Sequence, residues 1–146
     1  MQIILADAKI MRDAVATEST VHTTTPLFLS EATAIAAEMA GKSVNEIAEL
    51  FRCSKAIAME NRQRFLSFSG STAVPAILTY YGQAYKYLEA NDFSPSDFTF
   101  AQDHVLTMSF LYGLLRPLDL IHLYRMPANV RLNLTDGKPL QTWWRS

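Results

Sequence analysis

His104-Val105-Leu106-Thr107-Met108-Ser109-Phe110-Leu111 is an apolar run with β-branched Val105 and Thr107 and aromatic Phe110, and it stops at Tyr112-Gly113. A run of this length and composition, ended by a glycine, predicts a central strand. Two other stretches share its character. Gln2 to Ala6 carries adjacent Ile3 and Ile4, the composition of a buried strand, and gives way to Asp7 and Lys9. Ala76-Ile77-Leu78-Thr79-Tyr80-Tyr81 is a compact strand-like run ended by Gly82, after which Ala84 to Leu88 returns to helical spacing.

Helices are predicted around these strands. Ser30 is placed to cap an Ala-rich helix reaching Met39, with Gly41 as the left-handed residue that stops it. Ser43-Val44-Asn45-Glu46 has the form of a capping box, in which hydroxyl and carboxylate each satisfy a free amide; Val44, Ile47, Ala48, Leu50 and Phe51 follow on one face. A third pattern runs from about Lys55 to Phe68, with Ser54 as its cap and Ile57, Ala58, Asn61, Phe65 and Leu66 at helical spacing. Ser94-Pro95-Ser96-Asp97 opens another helix, with Pro where a missing amide costs nothing, and His104 closes it or sits at the sheet edge. Thr17 to Pro26 reads as an exposed connection, and Val130 to Thr135 alternates into the hairpin-type turn Asp136-Gly137. No period of repeats occurs. The fold class expected is α+β (mixed α/β): one domain over 1–146, a small central sheet flanked by helices.

Composition excludes several classes. With 146 residues, 49% hydrophobic, and Lys+Arg 13 against Asp+Glu 14 for a net charge of -1, the chain is neither disordered nor coated in basic residues. A single cysteine, Cys53, closes no internal disulfide, and no window approaches a bilayer span or a secretory signal, so a soluble protein of the reducing cytoplasm is expected. His22, His104 and His122 have no metal spacing, and neither a phosphate loop nor a nucleophile elbow is present. No metal, cofactor or catalytic residue is therefore expected.

Three predicted strands end alike: Leu5 before Asp7 and Lys9, Tyr81 before Gly82, and Leu111 before Tyr112-Gly113 with Arg116, Asp119, Tyr124 and Arg125 beyond. In open sheets ligands bind past the carboxyl ends of strands, so these residues fit a cleft for an anion; they equally fit ordinary turns with solvated charges. Arg116 and Arg125 lie in an apolar stretch, where a guanidinium either pairs with an acid such as Asp119 or grips an anion with its planar fork. The helix pair from Ser43 to Phe68, with Lys55, Arg62 and Arg64 on its second member, has the form of a helix-hairpin-helix that grips DNA backbone, although its corner lacks glycine; an ordinary packed helix pair has the same pattern.

Leu111-Tyr112-Gly113-Leu114-Leu115-Arg116-Pro117-Leu118-Asp119-Leu120, followed by Tyr124-Arg125, closely resembles the most distinctive stretch of the peroxide stress protein YaaA family. Ile3 to Lys9 is similar to that family's opening strand with its Ala-Lys pair, Thr23 to Pro26 to its threonine loop, and Ala76 to Leu88 to its strand, Gly82 and Tyr85-bearing helix. Phe93 to Gln102 and Trp144 fall in register. The chain departs at Ala6-Asp7, where the family has a small pair such as Ser-Pro, and at Met126-Pro127, where it has Leu-Glu. Family members run on past Ser146 into a part rich in Lys and Arg, so the sequence is expected to be the N-terminal portion of a longer protein, with Trp143 to Ser146 in an interrupted helix.

The resemblance implies a cytoplasmic, non-enzymatic protein of the hydrogen peroxide response that limits free intracellular iron and binds double-stranded DNA through a positive cleft with a helix-hairpin-helix element. Carried onto this chain, Lys9, Arg116 and Arg125 would line the cleft with Gly82, Tyr112, Gly113, Asp119 and Tyr124, while Lys55, Arg62 and Arg64 would contact the backbone. The alternative is an enzyme or small-molecule binder that holds a phosphorylated ligand in the same cleft, with Tyr112 and Tyr124 as hydroxyl donors.

Overall fold

The computed structural model describes residues 2–6, 11, 23–68, 73–80, 85 and 93–145. In chain order the elements are β1 (Ile3–Ala6), α1 (Leu29–Ala40), α2 (Val44–Phe51), α3 (Lys55–Leu66), β2 (Val74–Pro75), α4 (Ala76–Thr79), α5 (Pro95–His104), β3 (Val105–Ser109), β4 (Gly113–Leu115), β5 (Leu120–Ile121) and α6 (Leu140–Trp143). The fold is α+β. One sheet has the order β1-β3-β4, with β1 parallel and β4 antiparallel to β3, and a second pairs β2 with β5.

Local signals place the helices. The Ser43 hydroxyl accepts the Glu46 amide and the Glu46 carboxylate accepts the Ser43 amide, at 3.2 and 3.0 Å, while Ser94 and Asp97 repeat the arrangement with Pro95 at the first turn of α5. Ser54 caps α3 through the Ile57 amide. His104 ends α5 with its ring on the Phe100 carbonyl. At α1 the expectation fails in detail. Phe28 stands at the N-cap without a side-chain bond, Ser30 lies inside the first turn, and Gly41 has an ordinary φ of -79°. Gly41 and Lys42 donate to the Glu38 and Met39 carbonyls, and this tightened last turn needs no left-handed residue.

Three strand expectations are corrected. Ala76–Thr79 is a turn of helix, because all four residues are buried and an apolar run covered on every side carries no period to tell strand from helix. The Ala76 and Ile77 amides are taken by the Asp119 and Pro117 carbonyls, so only the preceding Val74–Pro75 joins a ladder, opposite Leu120 and Ile121. Val130 to Thr135 forms no strand. The chain turns over 133–137, with Asp136 and Gly137 both at positive φ, 53° and 77°, and Glu38 of α1 accepts the Asn133 and Leu134 amides. Finally, β1 lies at the edge of its sheet with Ile4 60% exposed rather than buried. The helix expected over Ala84 to Leu88 lies outside the described residues apart from Tyr85.

The larger core gathers Ile35 and Met39 of α1, Ile47 and Phe51 of α2, and Ala58 and Phe65 of α3 with Tyr112, Leu115 and Ile121. A smaller cluster joins Ile77, Leu78, Phe98, Ala101, Val105 and Leu118. Leu66, expected on the packed face of α3, is 49% exposed. Among the described residues no helix is long and apolar enough to cross a membrane.

Candidate functional site

Because β1 and β3 are parallel, their carboxyl ends, Ala6 and Ser109, lie on one side of the sheet. A chain of hydroxyls gathers there. Tyr85 donates to the Ala6 carbonyl at 2.7 Å and meets Thr107 at 3.0 Å, and the Tyr124 hydroxyl lies between those of Tyr80 at 2.6 Å and Ser109. The Ser109 oxygen accepts the Leu111 and Tyr112 amides, which uses its two lone pairs and leaves its proton to point at Tyr124. The rings pack edge on, Tyr80 against Tyr124 at 6.3 Å and Tyr112 against Tyr124 at 5.5 Å. Tyr112 is fully buried, its hydroxyl accepts the His122 amide, and burial pushes its phenol well above the ordinary value, so it stays neutral. Tyr112 and Tyr124 therefore sit in the core with their hydroxyls engaged, not open to solvent. Lys9 and Gly82 lie outside the described residues.

Arg116 and Asp119 form a second unit. The guanidinium lies 3.1 Å from the Asp119 carboxylate and donates to the Thr25 carbonyl at 2.8 Å. Asp119 is fully buried and also accepts the Arg116 amide and the Thr24 hydroxyl. Gln102 closes the unit, donating to Thr24 and accepting the Leu118 amide. This carboxylate fastens the threonine loop to the turn after β4. The arginine is engaged by that strut, while Arg125 is half-buried and its side chain makes no hydrogen bond or ion pair with the described residues. Gly113, at φ 78°, opens β4 against Phe28 and Trp144.

The third group lies at the α2–α3 corner. Arg62 donates to the Lys42 carbonyl in the link before α2, and Arg64 pairs with Glu60 of its own helix at 2.7 Å, so both are engaged. Lys55 is exposed at the start of α3. The missing corner glycine is replaced by Arg52, which takes the left-handed conformation at φ 51°, ψ 50° and lets the Cys53 amide reach the Ala48 carbonyl. Arg52 is exposed, a cation that spacing and composition did not single out. The available signal was a helix hairpin whose stop position holds arginine where glycine is favoured.

His122 adds a pH dependence. Burial against Phe68, 4.9 Å away, lowers its pKa below the ordinary 6.5. Below that pH the unfolded chain takes up a proton that the folded chain resists, so stability falls as pH drops through about 6.5 and levels off below the folded pKa. Thermal melts at pH 7.5 and 5.5 are expected to show a larger loss for the natural protein than for His122→Phe; equal losses would exclude His122 as the cause. Among the described residues no group of three or more His, Cys, Asp or Glu side chains is placed to hold a metal.

Comparison with known proteins gives a consistent result. The family model described as "Peroxide stress protein YaaA" matches residues 1–146. A UPF0246 protein of Bacteroides thetaiotaomicron is 42% identical over 148 aligned positions, covering 100% of this chain and 57% of the relative. A UPF0246 protein of Bordetella pertussis is 40% identical over 136, covering 88% of this chain and 53% of the relative. The chain thus spans about half the length of the curated relatives it matches.

Proposed function

This chain belongs to the peroxide stress protein YaaA family, and on that premise we propose that it serves the peroxide stress response in the cytoplasm by binding double-stranded DNA, with the α2–α3 corner touching the phosphate backbone. The observation that carries the reading is the corner itself. Arg52 and Lys55 are exposed, their side chains make no hydrogen bond or ion pair with the described residues, and they flank the start of a twelve-residue helix. Ser54 takes the Ile57 amide and its carbonyl takes that of Ala58, which leaves the Lys55 and Ala56 amides for an anion at the positive end of the helix. The reading extends to limiting free intracellular iron, which rests on the family resemblance and on no particular side chain.

With a net charge of -1 the chain by itself neutralises few phosphates, so it is expected to bind duplex DNA weakly at physiological salt and measurably at low salt. The test is fluorescence anisotropy of a labelled duplex across a salt series, comparing the natural chain with Arg52→Gly/Lys55→Gln. Glycine suits the left-handed position, so the variant loses two cations without losing the corner. Its affinity at low salt is expected to fall about tenfold, and its salt slope to shrink by roughly 0.9 for each phosphate that is no longer neutralised. An unchanged slope would remove the corner from the interface. Submicromolar binding by the natural chain at physiological salt would overturn the view that most of the phosphate footprint lies outside it.

A further inference from the structure

Among the described residues the β1-β3-β4 sheet is covered mainly on one face, where only Ile3 at its edge, 40% exposed, stands open. Strand alternation puts Leu5, Val105, Thr107 and Leu115 toward the cores, where Leu5 is half-buried and the other three are buried. The register then places Ile4 beside Leu106, and Met108 between Ala6 and Leu114, on the opposite face. All five of these residues are apolar, yet Ile4 is 60%, Met108 51% and Leu114 36% exposed. A sheet face built for water carries polar side chains at alternate positions, and this face carries apolar ones. Through Met108 and Leu114 the face continues into an open cavity of about 590 Å³ walled by Phe28, Trp143 and Trp144.

We propose that this face and its groove are the seat of the part of the family polypeptide that this chain does not span, docked through the apolar stripe of a helix. The whole chain aligns with the Bacteroides thetaiotaomicron relative and accounts for 57% of it, so a large remainder of that protein must be housed somewhere. In α+β folds the element that covers an open sheet face is a helix. A second copy of this chain suits the site less. A two-fold contact needs a self-complementary patch, and the groove, lined by Phe28, Trp143 and Trp144, is concave. The proposal goes beyond the DNA reading and does not depend on it.

Methionine oxidation by hydrogen peroxide reads the face directly, since a thioether becomes a sulfoxide, with water released, at a rate that follows exposure. Two proteins are compared by peptide mass spectrometry: the 146-residue chain alone, and a chimera in which it replaces the matched part of the Bacteroides thetaiotaomicron relative. Met59 on α3, 57% exposed and distant in the chain from the sheet, is the internal control. Met108 oxidation is expected to slow about tenfold or more in the chimera while Met59 is unchanged. Equal Met108 rates in the two proteins would overturn the proposal, as would protection already present in the chain alone together with a dimer by light scattering, which would assign the face to a second copy. Where the chimera does not fold, the remainder of the relative is co-expressed as a separate polypeptide. Co-purification that is lost in Met108→Asp and in Leu114→Asp supports the proposal, and failure to co-purify, or co-purification indifferent to both substitutions, overturns it.

Discussion

Asp119→Ala is expected to destabilise the protein by about 3 kcal/mol, near the lower end of what breaking a buried ion pair costs because its partner Arg116 is partly in water. The carboxylate is fully buried and its two oxygens receive the Thr24 hydroxyl, the Arg116 amide and the Arg116 guanidinium. Removing it leaves the Thr24 hydroxyl and the Arg116 amide without this acceptor, while the guanidinium keeps the Thr25 carbonyl and its Nε lacks a partner among the described residues. At this chain length the loss corresponds to a melting temperature lower by about 6 to 12 °C. Urea unfolding of Asp119→Ala beside Arg116→Lys checks the assignment. The lysine variant keeps the charge and loses the planar fork, so it is expected to be destabilised less than Asp119→Ala with its DNA affinity unchanged. Lowered affinity with unchanged stability would instead make Arg116 a contact for the ligand.

Gly113→Ala is expected to cost about 2 to 5 kcal/mol, from a left-handed penalty of about 1 to 2 and overpacking of about 1 to 3. A Cβ on Gly113 would meet the Trp144 ring at 2.8 Å and the Phe28 ring at 3.0 Å, and φ is 78°. The Trp144 indole is fixed by its bond to the Phe110 carbonyl and by edge packing on Phe28 at 5.6 Å, so it cannot yield without giving up both. Tryptophan fluorescence is the measurement, since displacement of Trp144 changes its emission together with the stability. An unaltered spectrum and unaltered midpoint would mean that the rings move aside freely.

How much was legible in the residues depended on the range of each interaction. The boxes at Ser43 and Ser94, the cap at Ser54 and the turn at Asp136-Gly137 close within four residues, and each was found where its local pattern placed it. The central strand β3 was legible from its β-branched Val105 and Thr107, although it takes only Val105–Ser109 of the run His104 to Leu111. At the candidate site the Arg116 and Asp119 spacing was visible, but the choice between a strut and an anion grip was not, because the deciding group is Thr24, 95 positions away. The hydroxyl chain of Tyr80, Tyr124 and Ser109 left no trace in the spacing for the same reason.

By itself, then, the order of residues determined the capped helices α2, α3 and α5, the central strand, the α+β class and the family resemblance, because each rests on neighbours along the chain or on a contiguous stretch. The tertiary structure alone decided that Ala76–Thr79 coils into a turn of helix, that Arg52 substitutes for glycine at the corner, and that β1 stands at an edge with apolar side chains facing outward. A run buried on all sides carries no period, and a strand's place in its sheet depends on which distant strands pair with it. Both are properties of the assembled chain, set when the amides of Ala76 and Ile77 find the carbonyls of Asp119 and Pro117 far along the sequence.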